Sequence, residues 1–319
     1  MTGIDGRQNQ PDKLITGIII VTAFLLLPVF IPALAWLHTL VPLPVLFYMT
    51  SFGRITGTKI VKTALIAAGG LAIVTGHLPG LLISCSMLPL GFYLAHAMGS
   101  KESFLRTGAV GIVVVLASWS LLAIMYGALY HLNPYAETVK ALDLAITATY
   151  SSYQEASGLS AETLADLERA FTMMRQYVPV VMPAVFIMSS IFAVWINLAG
   201  GNVLLRKKNI DLTPWPEFND WRLPEELVWL VIAGGMGMLL PVSLLQHISI
   251  NVFLVLGTIY FFQGLAVLVS LFARWSIPKP FRIVIYAFIL IQVYGFIFLA
   301  IAGLADVWID FRKERSRAS

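Results

Sequence analysis

The sequence predicts an all-α, polytopic integral membrane helical bundle of about eight to nine transmembrane helices. Three observations carry that prediction. Hydrophobic residues make up 58% of the chain and charged residues only 12%, far from the balance of a soluble domain. Nine apolar runs alternate with short polar joints, and most approach the ~20 residues that cross a ~30 Å hydrocarbon layer. Strict two-residue alternation is missing from these runs, which argues against a membrane β-barrel.

The runs occupy residues 14–30, 31–49, 60–74, 78–97, 107–130, 178–205, 227–244, 250–272 and 283–304. Residues 1–13, with Arg7 and Lys13, read as a cytoplasmic tail. The first run contains Pro28, is followed by Pro32 and offers no small-residue cleavage site, so it reads as a span and not as a signal peptide. The first and third runs are short and would thin the bilayer locally. Cys85 is the lone cysteine, so an intrachain disulfide is excluded.

An amino terminus in the cytoplasm and nine crossings place 14 Lys and Arg residues inside and 7 outside, as the positive-inside rule requires. The net charge of +4 therefore reflects membrane topology, and no nucleic acid partner is expected. The basic tail is the exception. Arg312, Lys313, Arg315 and Arg317 fall outside after an odd number of crossings, unless one of the weaker runs fails to cross; the proline-rich pair at 14–49 is the first candidate.

Residues 131–177 form the one sizeable insert, on the outer side. Val139, Leu142, Ile146, Tyr150 and Tyr153 recur at three- and four-residue intervals, Gly158 breaks the pattern, and Ser160 can cap a second helix bearing Leu164, Leu167, Phe171 and Met174. The plain expectation is a hairpin packing its apolar stripe on the outer ends of the spans. The sharper one is a lid or docking surface over an outward-facing cavity. Pro179 and Pro183 open the sixth run, where a missing amide donor costs least.

Small-residue clusters at 68–72, 233–237 and 300–305 mark close helix contacts. Trp36, Trp215, Trp221, Trp229, Trp275 and Trp308 lie near span ends, as an interfacial belt requires. Polar groups inside the runs carry more weight, because an unpaired one is costly in hydrocarbon. Asn251, Tyr260, Gln263, Gln292 and Tyr294 are the candidate substrate-lining residues, with Asp306 at the end of the last run. Tyr260 and Gln263 share a helical face and could meet Gln292; interhelical hydrogen bonding is the simpler reading of the set. His38, His77, His131 and His247 fall on the outer side, but no two have ligand spacing, so no metal site is expected. Phosphate-binding loops, His-Glu-x-x-His and Gly-x-Ser-x-Gly are absent, and neither an enzyme nor a cofactor is expected.

The carboxy-terminal third has a distinctive pattern: residues 221–229 with Trp221, Arg222 and Pro224, then Asn251, then 260–267 with Gly264, then 303–312 with Asp306 and Trp308. This pattern resembles that of the bacterial YybS-like membrane proteins, a family without an established biochemical function. The resemblance implies a multi-pass protein of the bacterial cytoplasmic (inner) membrane. The amino-terminal part is similar in hydropathy to the substrate-binding S components of energy-coupling-factor vitamin transporters, six-helix units that capture a small molecule from outside. On that likeness residues 14–209 form a six-span unit and residues 210–319 a three-span unit with a basic tail. The first run departs from the S components: it holds only Ala23, where they offer an Ala-x-x-x-Ala face to the energising module.

Two functions remain open. One is a small-molecule binding or transport component; the other is a noncatalytic scaffold that binds other membrane subunits or lipid, using its small-residue faces and the basic joint from Arg206 to Arg222.

Overall fold

Most of the helices begin where the sequence supplies a cap or a proline. A computed structural model describes residues 10–100, 102–155, 160–208, 210, 218 and 221–312. Gly158, Trp215, Arg7, Lys101, Lys313, Arg315 and Arg317 lie outside the described residues. The elements are α1 (Gln10–Phe30), a 3-10 helix (Pro32–Leu40), α2 (Pro42–Val74), α3 (Leu78–Cys85), α4 (Leu88–Gly99), α5 (Phe104–Tyr130), α6 (Pro134–Glu155), α7 (Ala161–Arg206), α8 (Leu227–Leu239), α9 (Ser243–Arg274), α10 (Lys279–Ile291) and α11 (Val293–Ile309). Prolines start the 3-10 helix and α2, α3 and α4, where a missing donor would be unpaired in any case. Ser103 caps α5 by accepting from the Arg106 N–H at 3.3 Å, and Ser160 caps α7 by accepting from the Thr163 N–H at 3.1 Å. Asn133 does the same for α6, accepting from the Tyr135 and Ala136 N–H groups at 3.0 and 3.2 Å.

Among the described residues, six helical stretches are long and apolar enough to cross a membrane, or seven if a pair bent by 105° counts as one span. This is fewer than the eight to nine expected. The second and third apolar runs share one 43-residue stretch, the seventh yields a helix of only 13 residues, and the ninth is the bent pair. Thirteen residues reach about 20 Å, short of the hydrocarbon thickness.

The chain divides into two compact units, Met1–Glu137 with Ser189–Trp215, and Thr138–Met188 with Pro216–Ser319. Residues 138–188, most of the insert and the start of the sixth apolar run, thus cluster with the carboxy-terminal helices. In the first unit, α2 is not one rod. Gly53 has φ 79°, a left-handed value that only glycine adopts without strain, and the chain reverses there. In a straight helix residues 49 and 57 would be about 12 Å apart. Here a Cβ added to Gly57 would stand 2.5 Å from the Met49 Cα, so the two arms fold back on each other. α1 lies against both: Gly17 meets Tyr48 and Ile60, and the Thr22 hydroxyl donates to the Ala64 carbonyl at 3.4 Å. Leu25, Val45, Leu46, Ala64, Ala68, Ala72, Leu90 and Leu94 form the centre of its core. The small residues Ala68 and Ala72 are spent on that internal packing, while Gly69 and Gly70 face open space.

In the second unit α6 pairs with the start of α7. The Arg175 guanidinium donates to Asp143 at 2.7 Å and to the Thr147 hydroxyl at 2.8 Å, and Phe171 packs edge-on to Tyr150. The expected apolar stripe is present but meets the hairpin's own second helix. Ile146 is buried along it. α7 leads on into the sixth apolar run, with Pro179 and Pro183 inside it.

Candidate functional site

Two close contacts set the frame of the second unit. Gly234 and Gly237 of α8 press on Phe253 and Ser249 of α9. Further along, α9 and α11 cross at Gly264 and Gly303 with backbone on backbone. A Cβ at Gly264 would land on the Leu299 carbonyl oxygen, and one at Gly303 on that of Tyr260, so no other residue fits either position.

That crossing brings Gln263 to Asp306. The Gln263 side chain is 2% exposed; its amide nitrogen donates to Asp306 Oδ2 at 3.2 Å, and its oxygen accepts from the Leu223 N–H at 3.1 Å. Arg312, one turn past the end of α11, donates to the same Asp306 oxygen and, at 2.7 Å, to the Trp221 carbonyl. The Phe311 N–H fills Asp306 Oδ1 at 3.1 Å. The side chains of Arg312 and Asp306 are 5% and 2% exposed. These bonds close a ring from Gln263 through Asp306 and Arg312 to Trp221 and back along the chain to Leu223. A charge buried this far from water must be paired and hydrogen-bonded, and every Asp306 oxygen here is.

At the rim Arg222 reaches Asp310 at 2.8 Å, a pair 56% and 31% exposed. Asp310 takes a left-handed conformation at the end of α11, which turns the chain so that Arg312 faces back. Pro224 is exposed and starts the turn whose carbonyl accepts from the Leu227 N–H at 3.2 Å, leading into α8. Trp221 stacks on Phe218, while Trp308 is 66% exposed, a lipid-facing position.

The candidate lining residues do not come together as one group. Asn251 lies elsewhere on α9 and repairs α7. Pro183 disturbs the helical ladder there, and the Asn251 side chain bridges it: its oxygen accepts from the Ala184 N–H and its nitrogen donates to the Val180 carbonyl, both at 2.8 Å. Tyr260 is buried at 2% exposure, and its hydroxyl has no hydrogen-bond partner among the described residues. Gln292 sits exposed at the break between α10 and α11, and Tyr294 is 80% exposed. The meeting of Tyr260 and Gln263 with Gln292 is therefore replaced by that of Gln263 with Asp306, because the bend at residue 292 turns Gln292 outward. Arg312 was missing from the expected site. Its signal was present: a carboxylate at the end of an apolar run needs a cation, and Arg312 is the first one downstream.

Of the histidines, His38 Nδ1 is 2.9 Å from the buried Ser84 hydroxyl, which donates to the Leu25 carbonyl, and His77 Nδ1 is 2.7 Å from the Thr75 carbonyl. Among the described residues no three His, Cys, Asp or Glu side chains gather in a metal-ligating group.

Long apolar helices, a buried ion pair and a backbone-to-backbone crossing fit a multi-pass α-helical membrane protein. The chain belongs to the family described as Predicted membrane protein (DUF2232), whose family model matches residues 19–307. No curated protein and no solved structure matches it.

Proposed function

We propose that the protein is a noncatalytic small-molecule binding or transport component of the bacterial cytoplasmic membrane, YybS-like and built on an S-component plan. The observation that carries this reading is the content of the first unit. Six apolar segments cluster there: α1, the two arms of α2, the α3–α4 pair, α5 and the end of α7. Six helices around one core is the plan on which an S component captures its solute. Eight crossings accompany the reading: these six, the short α8 and the long α9, with α10 and α11 dipping in and returning at their 105° bend. Arg312 then lies on the side of the joint that holds Trp221, in keeping with their hydrogen bond, and Lys140, Arg169 and Arg175 are the only basic residues left outside.

A second reading, a membrane scaffold, draws on the use of Asn251 and Gln263 for structural bonds and on α5, only 11% of whose apolar window is buried. Native mass spectrometry of the gently extracted chain separates the two. A small molecule retained at fixed mass is the expected result, and recovery of a protein subunit with no such molecule would overturn the first reading in favour of the second.

A further inference from the structure

The ion pairs of the described residues all lie in the second unit. The first unit instead gathers basic side chains at one end, and no ion pair among the described residues neutralises them. The Lys208 ammonium, just past α7, stands 4.8 Å from the centroid of Phe47 and 5.8 Å from that of Phe52, on the arm that ends at Gly53. Arg54 is the next residue of that turn and is exposed. Gly201, near the end of α7, packs on Leu46 and Met98, which brings the end of α4, and with it Arg106 in the first turn of α5, to the same place. A Cβ added to Gly17 would stand 3.0 Å from the Tyr48 ring, so exposed Lys13, one turn earlier in α1, lies at this end too. Arg206 and Lys207 complete the set, both exposed. Against them the described residues of these segments include Asp12 and Glu102, and Glu102 accepts from the Tyr93 hydroxyl.

We propose that this end of the first unit is a binding surface for anionic phospholipid headgroups, with Lys208 held in place by Phe47 and Phe52. Cations at the ends of apolar helices sit at headgroup depth, where each attracts an anionic lipid surface. Free phosphate would satisfy the same cations. The lipid is favoured by what borders them: Ile55 beside Arg54 is 77% exposed and Val203 beside Arg206 is 54% exposed, an apolar margin that suits acyl chains and offers nothing to a free anion. The aromatic pair supplies a cation–π seat that pre-positions the ammonium. The proposal does not rest on a solute cavity and would hold for a scaffold as well.

The test is a native mass spectrometric titration of the purified full chain in a neutral detergent, with phosphatidylglycerol, phosphatidylcholine and inorganic phosphate as probes. Phosphatidylglycerol should stay bound where phosphatidylcholine dissociates. The triple variant Arg206→Gln, Lys207→Gln, Lys208→Gln should lose phosphatidylglycerol by roughly 100-fold, about fivefold per cation. Phe47→Leu, which keeps every charge, should lose it by a few-fold and guards against misfolding of the triple variant. A control pair on the second unit, Arg274→Gln with Lys279→Gln, should bind as the unaltered chain does. Equal retention of the two lipids, full binding by the triple variant, or displacement of phosphatidylglycerol by inorganic phosphate would each overturn the proposal.

Discussion

Replacing Arg312 with Met tests the buried ring most directly. Arg312 and Asp306 are 5% and 2% exposed, so Asp306 would stay buried with only Gln263 and the Phe311 N–H as donors. Breaking a buried pair by removing one partner costs about 3–5 kcal/mol, because the remaining charge has no water to turn to. The Trp221 carbonyl loses its donor as well, adding about 1 kcal/mol. At 2–4 °C per kcal/mol for a domain of this size, Tm should fall by roughly 8–24 °C. The measurement is thermal unfolding of the purified chain in one fixed detergent, followed by tryptophan fluorescence. Adding Asp306→Asn to Arg312→Met removes the stranded charge and should recover much of the loss, a coupling of about 2 kcal/mol or more in a double-mutant cycle. Arg222→Gln breaks a pair 56% and 31% exposed and should cost no more than about 1 kcal/mol. If Arg312→Met unfolds with the unaltered chain, or if the two buried-site substitutions simply add, the ring does not hold the end of α11 as argued.

Other consequences can be checked by the same route. Gly264→Val should destabilise by about 3 kcal/mol or more, since its side chain has no room beside the Leu299 carbonyl, whereas Gly69→Ala, with nothing within 4 Å, should be within about 0.5 kcal/mol of the unaltered chain. Asn251→Ala strands the Ala184 N–H and the Val180 carbonyl and should cost about 1–3 kcal/mol, with faster hydrogen exchange at Ala184. A cysteine placed at Ser316 should react with a membrane-impermeant maleimide only in inverted vesicles; labelling from outside intact cells would refute the eight-crossing arrangement.

Much of this was legible in the chain. Composition and run length gave the class, Ser160 announced the start of α7, and the glycine clusters at 233–237 and 300–305 marked contacts that are present. Gln263 and Asp306 stood out because polar groups in hydrocarbon need a reason. What could not be read is which partner each would take. Asn251 and Ala184 are 67 residues apart, and nothing local says that an asparagine on one helix will mend a proline fault in another. Gly53 was hidden for a different reason: a single left-handed glycine between apolar arms leaves periodicity almost undisturbed, yet it reverses the chain. Gln292 was misplaced for the converse reason, since helical spacing assumes a straight helix and the bend falls on that residue.

The crossing at Gly264 and Gly303 also restricts traffic. Where two main chains touch there is no side chain to swing aside and no gap for a solute to widen. Parting α9 from α11 would expose both backbones to lipid and break the Gln263 to Asp306 bond in the same movement. That pair is a rivet in the second unit, and α9 and α11 move as one piece where it holds them.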